Sequence, residues 1–246
     1  MQIHSNIRSD NFTKVTNNRN ISFIILHYTE LDFDTSVQYL CSKEKGVSSH
    51  YLIDKNGEIF CLIDEKHIAW HAGKSYWRGI EELNNHSVGI EIENLGNEAF
   101  PKAQMDSVIW LCSRLKKQYQ IPRENILGHS DIAPDRKVDP GIFFDWKLLG
   151  NHGLGIPIPS LDEYLPSLLP RALNIQDIQE KLLEIGYKID ITGKLDLQTK
   201  LVIRAFQMHF CPKKIVDNAS VAEYRWDEES SRILLQLVEY CRKNRI

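Results

Sequence analysis

The chain has 246 residues, a hydrophobic fraction of 42% and a formal net charge of −3, which is the composition of an ordinary soluble globular protein of one large domain, or of one domain plus a smaller one. No basic run points to a nucleic-acid partner, and no stretch approaches the roughly 18–20 apolar residues that span a bilayer. The five cysteines, Cys41, Cys61, Cys112, Cys211 and Cys241, include no CxxC pair, so neither a disulfide framework nor a cysteine-type metal site is indicated.

Met1 to Asn20 is polar and lacks the apolar core of a signal peptide. The chain therefore reads as cytoplasmic. The periplasm or cell envelope is the alternative, because a chain whose leader had been removed would look the same. Ile21 to Leu26 is a continuous β-prone apolar run, the mark of a strand buried on both faces. It ends in His27-Tyr28-Thr29. A strand holds a terminal His rigidly, which suits a ligand, although a hydrogen-bonded core His is the plainer reading. Thr35 to Lys43 is expected to be a short helix with Asp34 as N-cap. Val47 to Ile53 and Glu58 to Ile63 flank Lys55-Asn56-Gly57 and predict a β-hairpin, with His50 on its first strand.

Lys66 to Gly79 holds His67, Trp70, His71, Tyr76, Trp77 and Arg78. Aromatics and Arg combine an apolar body with a polar tip and suit a sugar or peptide surface; a surface loop pinned by its aromatics fits equally well. Ser87 to Asn94 alternates strictly, with Val88, Ile90 and Ile92 on one face and Gly89, Glu91 and Glu93 on the other. The two Glu are either solvent-facing charge or the wall of a site in which one carboxylate acts as general base.

Pro101 to Tyr119 is a helix, with Pro101 in its first turn and Met105, Val108, Ile109, Leu111, Cys112 and Leu115 as its apolar stripe. A short apolar strand, Asn125 to Gly128, follows. The next run, His129 to Gly141, is too polar and too broken by Pro and Gly for a helix or a central strand. It reads as a long loop carrying His129, Asp131, Asp135, Arg136, Lys137 and Asp139. Gly150 to Pro170 is rich in Gly and Pro and is the expected boundary. The expected organisation is a catalytic domain over 1–155, a linker over 156–170 and a small helical domain over 171–246. In the last, 174–185, 196–210 and 226–242 carry helical periodicity.

His27, His129 and Asp139 come from separate places, so no local zinc motif of the HExxH type is present. Two His and one carboxylate nevertheless have the composition of a catalytic zinc site with an open position. A nearby Glu could move the water's proton, and a nearby Lys could stabilise a developing oxyanion. These are the parts that amide hydrolysis needs.

His27-Tyr28-Thr29, Ser49 to Gly57, Ala69-Trp70-His71-Ala72-Gly73, Ser87 to Glu91 and Gly128 to Gly141 occur in this order. Together they resemble the zinc-dependent N-acetylmuramoyl-L-alanine amidases of the amidase 2 family, which are related to phage-type lysozyme amidases and peptidoglycan recognition proteins. The likeness covers roughly residues 20 to 150, and it is nearest to the AmpD/AmiD-like bacterial branch. It implies an α/β fold, a mixed central β-sheet flanked by helices, with one zinc ion per chain held by His27, His129 and Asp139. It implies Glu91 and Lys137 as catalytic residues, and peptidoglycan or muropeptide fragments as partners. Tyr28, His50, Trp70, His71 and Arg78 are the substrate-binding candidates. Asp131 and Asp135 belong to the motif as loop-shaping residues. Phage-type relatives carry a Tyr where this chain has Ser49, and a Cys ligand where it has Asp139; Glu91 is expected to take the Tyr's role. Ile178 to Tyr187, Thr192 to Asp196, Thr199 and Phe206-Gln207 resemble the peptidoglycan-binding domain 1 pattern, a small three-helix bundle. The implied activity is hydrolysis of the amide bond between N-acetylmuramic acid, including its 1,6-anhydro form, and L-alanine during cell-wall turnover. The alternative is a peptidoglycan recognition protein without catalysis.

Overall fold

The computed structural model describes residues 1–159, 173–214 and 226–244. In chain order its strands are β1 (Ile3–His4), β2 (Phe12–Thr13), β3 (Phe23–Tyr28), β4 (Tyr51–Ile53), β5 (Ile59–Cys61), β6 (Ile68–Ala69), β7 (Tyr76–Trp77), β8 (Ile80–Glu81), β9 (Ser87–Ile92) and β10 (Ile126–Gly128). The helices are α1 (Phe33–Cys41), α2 (Lys102–Tyr119), α3 (His129–Ile132), α4 (Trp146–Asn151), α5 (Ile175–Ile185), α6 (Leu197–Phe210) and α7 (Glu228–Asn244). None of the described helices is long and apolar enough to cross a membrane.

The central sheet runs in the order β1-β5-β4-β9-β3-β10. It is mixed: β4, β9, β3 and β10 are parallel to one another, and β5 is antiparallel to β4. The apolar run expected to be a buried strand is β3, and it lies between two parallel neighbours. Phe23, Ile24, Ile25 and Leu26 are all buried, so both faces of the strand need apolar side chains. On one face Ile24, Leu26, Val88 and Ile90 pack against Met105, Val108, Leu111, Cys112 and Leu115 of α2, the stripe read from the sequence. On the other face Phe23, Ile25 and Leu127 join Ala72, Trp77 and Leu83 and the apolar faces of α5, α6 and α7 in one continuous core. The C-terminal helices therefore cover the face of the sheet to which His27 and Glu91 belong.

Four local expectations are corrected. The first helix starts at Phe33, because Asp32 rather than Asp34 caps it: Asp32 accepts from the Thr35 amide at 3.0 Å and its hydroxyl at 2.9 Å. The Phe33 ring packs against Phe60, 4.8 Å between centroids, which anchors that first turn. The hairpin forms around Asn56-Gly57, but its strands are short. Before Tyr51 the regular pairing gives way: the Ser48 amide turns to the Trp70 carbonyl, and the Ser48 and Ser49 hydroxyls donate to the Asn11 and Gly89 carbonyls. The stretch after Gly128 is not all loop: His129–Ile132 makes one helical turn, fixed by Asp131 Oδ2 accepting from the Gly128 amide at 2.9 Å. Finally, the Gly- and Pro-rich run begins as packed structure. Gly150 and Asn151 end α4, and Leu154 and Ile156 are buried. The rest of the expected linker, 160–170, lies outside the described residues.

α5 and α6 start where the sequence places them, and α7 starts at Glu228 rather than 226. The Asn174 side chain accepts from the Asp177 amide at the head of α5, and Asp196 accepts from the Thr199 amide at the head of α6, each satisfying an amide with no intrahelical partner.

Candidate active site

Register builds the site. Within the parallel β3–β9 pair His27 lies beside Glu91, so the two side chains leave the same face of adjacent strands. On the other side of β3, Gly128 pairs with Leu26, so His129 follows at the same end of the sheet. This is the carboxyl end of the parallel strands, where open α/β sheets place ligands. The loop that follows returns Asp139 to the same point.

His27 Nδ1 lies 2.9 Å from His129 Nδ1 and 3.0 Å from Asp139 Oδ2, and His129 Nδ1 lies 3.1 Å from the same oxygen. All three residues are buried and could hold one metal ion. Their surroundings assign the protons. The Ser87 hydroxyl donates to the Leu83 carbonyl at 2.6 Å, so its oxygen accepts from His71 Nε2 at 3.2 Å. His71 Nδ1 then accepts from His27 Nε2 at 3.0 Å, which leaves a lone pair on His27 Nδ1. Similarly, His129 Nε2 donates to the Ala72 carbonyl at 3.2 Å, leaving a lone pair on His129 Nδ1. Two nitrogen lone pairs and a carboxylate oxygen thus converge, an arrangement that repels itself unless a cation sits among them. Ligands about 2.0–2.2 Å from one ion lie roughly 3.3 Å apart, so the spacing fits.

The electrostatics agree. Burial, and then the neighbouring His129, push His27 down to about 4. Burial above all holds His71 well below the usual His range. Asp139 is held well below the usual carboxylate range: burial opposes its charge, but the closeness of His129 and His27 outweighs it. Glu91 goes the other way. Burial, and then Asp139, push it well above the usual range, while the Lys137 ammonium pulls it down. Glu91 Oε2 is buried without a hydrogen-bond partner, so this carboxyl is held for something other than the fold.

A groove of about 740 Å³ opens on this cluster. Tyr28, Trp70, His71, Glu91 and Lys137 line it beside the three ligand candidates. Two further sequence candidates do not reach it. His50 is fully buried: its Nδ1 accepts from the Gly89 amide at 3.0 Å, and burial with the nearby Arg19 pushes it down to about 3. It is a core histidine at the edge of β4. Arg78 turns toward the C-terminal helices, where its Nε donates to the Ile185 carbonyl at 2.7 Å. Glu93 does not reach the His27–His129–Asp139 cluster either; its carboxylate accepts from the Phe33 and Lys55 amides.

Several supporting residues carried no local signal. Arg19 donates to the Asn84 carbonyl at 3.1 Å and also to those of His67 and Ser87. The Asn84 side chain accepts from the His71 and Ala72 amides at 3.0 and 2.7 Å. Arg136 donates to the Ala72 and Lys74 carbonyls. Gly89 is required here by space: a Cβ on it would lie 2.4 Å from His71 Cγ.

The profile of the N-acetylmuramoyl-L-alanine amidase family matches residues 17–142, which include every member of this cluster. The chain belongs to that amidase family. A second profile, described as a putative peptidoglycan binding domain, matches residues 171–219. The amidase is 38% identical over 213 residues to the N-acetylmuramoyl-L-alanine amidase AmiD of Escherichia coli K12, covering 78% of this chain and 75% of that one. It is 35% identical over 160 residues to the 1,6-anhydro-N-acetylmuramyl-L-alanine amidase AmpD of Haemophilus influenzae, covering 57% and 87%. Among solved structures, E. coli AmiD in complex with anhydro-N-acetylmuramic acid-L-Ala-D-γ-Glu-L-Lys superposes with a TM-score of 0.75 at 32% identity, over 94% of this chain and 98% of that one. AmpDh3 of Pseudomonas aeruginosa gives 0.75 at 33% identity, over 93% and 95%.

Proposed function

We propose that this amidase hydrolyses the amide bond between the lactyl group of N-acetylmuramic acid, in its 1,6-anhydro form or within peptidoglycan, and L-alanine, with zinc held by His27, His129 and Asp139. The observation that carries this reading is the convergence of two lone-pair nitrogens and a carboxylate beside a buried, unpartnered Glu91 oxygen. The relatives named for this activity, and the AmiD complex with a muramyl peptide, support the substrate class.

Zinc fits the donor set, two imidazoles and one carboxylate, and when bound it supplies Lewis acidity toward water and a carbonyl oxygen. The chain's own residues do the rest. Glu91 takes a proton from the attacking water and delivers it to the leaving alanine nitrogen. Its raised affinity for a proton suits that shuttle, and the Lys137 ammonium keeps it from being locked protonated. Lys137 also stabilises negative charge on the carbonyl oxygen as the tetrahedral centre forms. Tyr28 and Trp70 offer apolar walls with polar tips to the sugar and stem peptide.

Mass spectrometry of products from anhydro-muropeptide and from intact peptidoglycan, with zinc and with chelator, tests the reading. Zinc-dependent release of a stem peptide beginning with L-alanine is expected. No release from either substrate, with binding retained, would replace the amidase by a recognition protein. Glu91→Gln should retain zinc while turnover falls by about 10²–10⁴; a fully active variant removes Glu91 from the chemistry.

A further inference from the structure

The segment between the two ligand residues His129 and Asp139 is held from outside the catalytic unit. Asp131 is 1% exposed. Its Oδ2 accepts from the Gly128 amide at 2.9 Å and from His209 Nδ1 at 2.8 Å, and its Oδ1 accepts from the Tyr187 hydroxyl at 2.8 Å. Two of these three partners come from the C-terminal helical unit. Further along the same segment, Arg204 Nη2 of α6 donates to the Pro134 carbonyl at 2.9 Å and to the Lys137 carbonyl at 3.4 Å. One side of α6, with Tyr187 beside it, therefore grips the turn that follows His129 and the backbone of Lys137.

We propose that the C-terminal helical unit is a positioning element of the metal site, in which Tyr187, His209 and Arg204 fix the 131–137 segment so that His129, Asp139 and Lys137 converge. The proposal rests on the assignment of His129 and Asp139 as zinc ligands.

Three observations raise this above ordinary contact between neighbours. First, a buried carboxylate stripped of its partners is strongly unfavourable, so without Tyr187 and His209 the Asp131 side chain must move. The turn it caps carries His129. Second, the two partners are themselves fixed by the catalytic unit. The His209 ring stacks on Trp146 at 3.8 Å and 15°, and the Tyr187 ring meets Trp77 edge-on at 5.0 Å. Third, the chain joining Tyr187 to α5 passes close under that unit: Gly186 has φ +140°, and a Cβ there would lie 2.7 Å from Arg78 Cγ. A unit that served only to hold wall polymer would not need its polar side chains aimed at the metal loop. Tyr187, Arg204 and His209 are positioning residues: none of them lines the groove, and each acts through Asp131 or the loop backbone.

The test uses the full chain and a soluble anhydro-muropeptide, a substrate too small to depend on a separate wall-binding site. The variants are Tyr187→Phe with His209→Leu, His209→Asn, which keeps a donor where Nδ1 stands, and Arg204→Ala. Zinc affinity is read by competition with a chromophoric chelator, kcat and KM by product release, and folding by the thermal midpoint of each zinc-loaded protein. Loss of outer-shell partners of a metal site costs about 10–100-fold. The double variant should lose zinc affinity by that factor and lose kcat with little change in KM, and His209→Asn should recover most of the loss. Arg204→Ala leaves the core intact and should lower kcat even if the double variant fails to fold. Wild-type zinc affinity and kcat in the folded variants overturn the proposal, and so does a lower melting midpoint accompanied by no change in either. If the unaltered chain neither binds zinc nor releases peptide, the amidase reading itself has failed instead.

Discussion

At the scale of single residues, the site depends on where protons sit. His27 presents Nδ1 to the candidate metal position because its Nε2 hydrogen is committed to His71, and His71 is in turn committed to Ser87. His71→Ala would remove that commitment and let His27 take the wrong tautomer. Zinc affinity should fall about 10–100-fold, measured by chelator competition, with Glu91 and Lys137 untouched. The same burial sets a pH dependence for the zinc-free protein. His27 and His50 are pushed down to about 4 and about 3, and His71 well below its usual value. Each stays neutral in the fold and gains a proton only on unfolding. Their contribution to stability is therefore complete above the unfolded value of about 6.5 and is lost as pH falls toward the folded values, by up to about 1.4 kcal/mol per pH unit for each. Glu91, raised in the fold, opposes this with a single proton, three groups against one. The urea midpoint of the zinc-free chain should be lower at pH 5 than at pH 7; an unchanged midpoint would mean that these rings are not buried neutral.

At the scale of elements, strand register and helix stripes do different jobs. Alternation in Ser87 to Ile92 decides that Glu91 shares a face with Gly89, and pairing with β3 decides that this face also holds His27. The apolar stripe of α2 closes the opposite face. Leu111→Ala, at a fully buried position of that stripe, should destabilise the chain by about 2–5 kcal/mol in urea unfolding. It should leave zinc affinity unchanged, because α2 lies across the sheet from the candidate metal site. The elements were readable wherever periodicity was long. β3, α2, α5, α6 and α7 follow from their patterns. The short pieces were not readable: α3 exists because Asp131 caps a single turn, and α1 starts where Asp32, not Asp34, finds the Thr35 amide. Two equivalent caps two residues apart look the same in sequence, and packing of Phe33 on Phe60 separates them.

At the scale of the whole molecule, the two profile matches, 17–142 and 171–219, read as two beads on a string. In the structure they share one core, running from Phe23 and Leu127 through Trp77 to Leu182, Phe206 and Leu234. Urea unfolding of the full chain should accordingly show one transition. Leu182→Ala in the C-terminal unit should shift that same transition, as Leu111→Ala does in the catalytic unit. Two separable transitions, with only the second moved, would count against the shared core.

The sequence by itself determined the chemistry available: His27 at the end of an apolar run, Glu91 on an alternating strand, and His129, Lys137 and Asp139 on one polar segment. Covalent neighbours and hydrophobic period fix those facts before any folding. Only the tertiary structure decided that His27, His129 and Asp139 meet at one point and that His50 does not join them. His27 and His129 meet because β3 lies next to β10, whereas His50 lies across β9, opposite Gly89, and is consumed by its amide. It also decided that Arg78, Tyr187, Arg204 and His209 bind the two units together rather than face the groove. Such contacts join residues 50 to 110 positions apart in the chain, and no local pattern specifies them. They arise when a buried carbonyl or carboxylate must find a donor, and which donor reaches it depends on how the helices pack over the sheet.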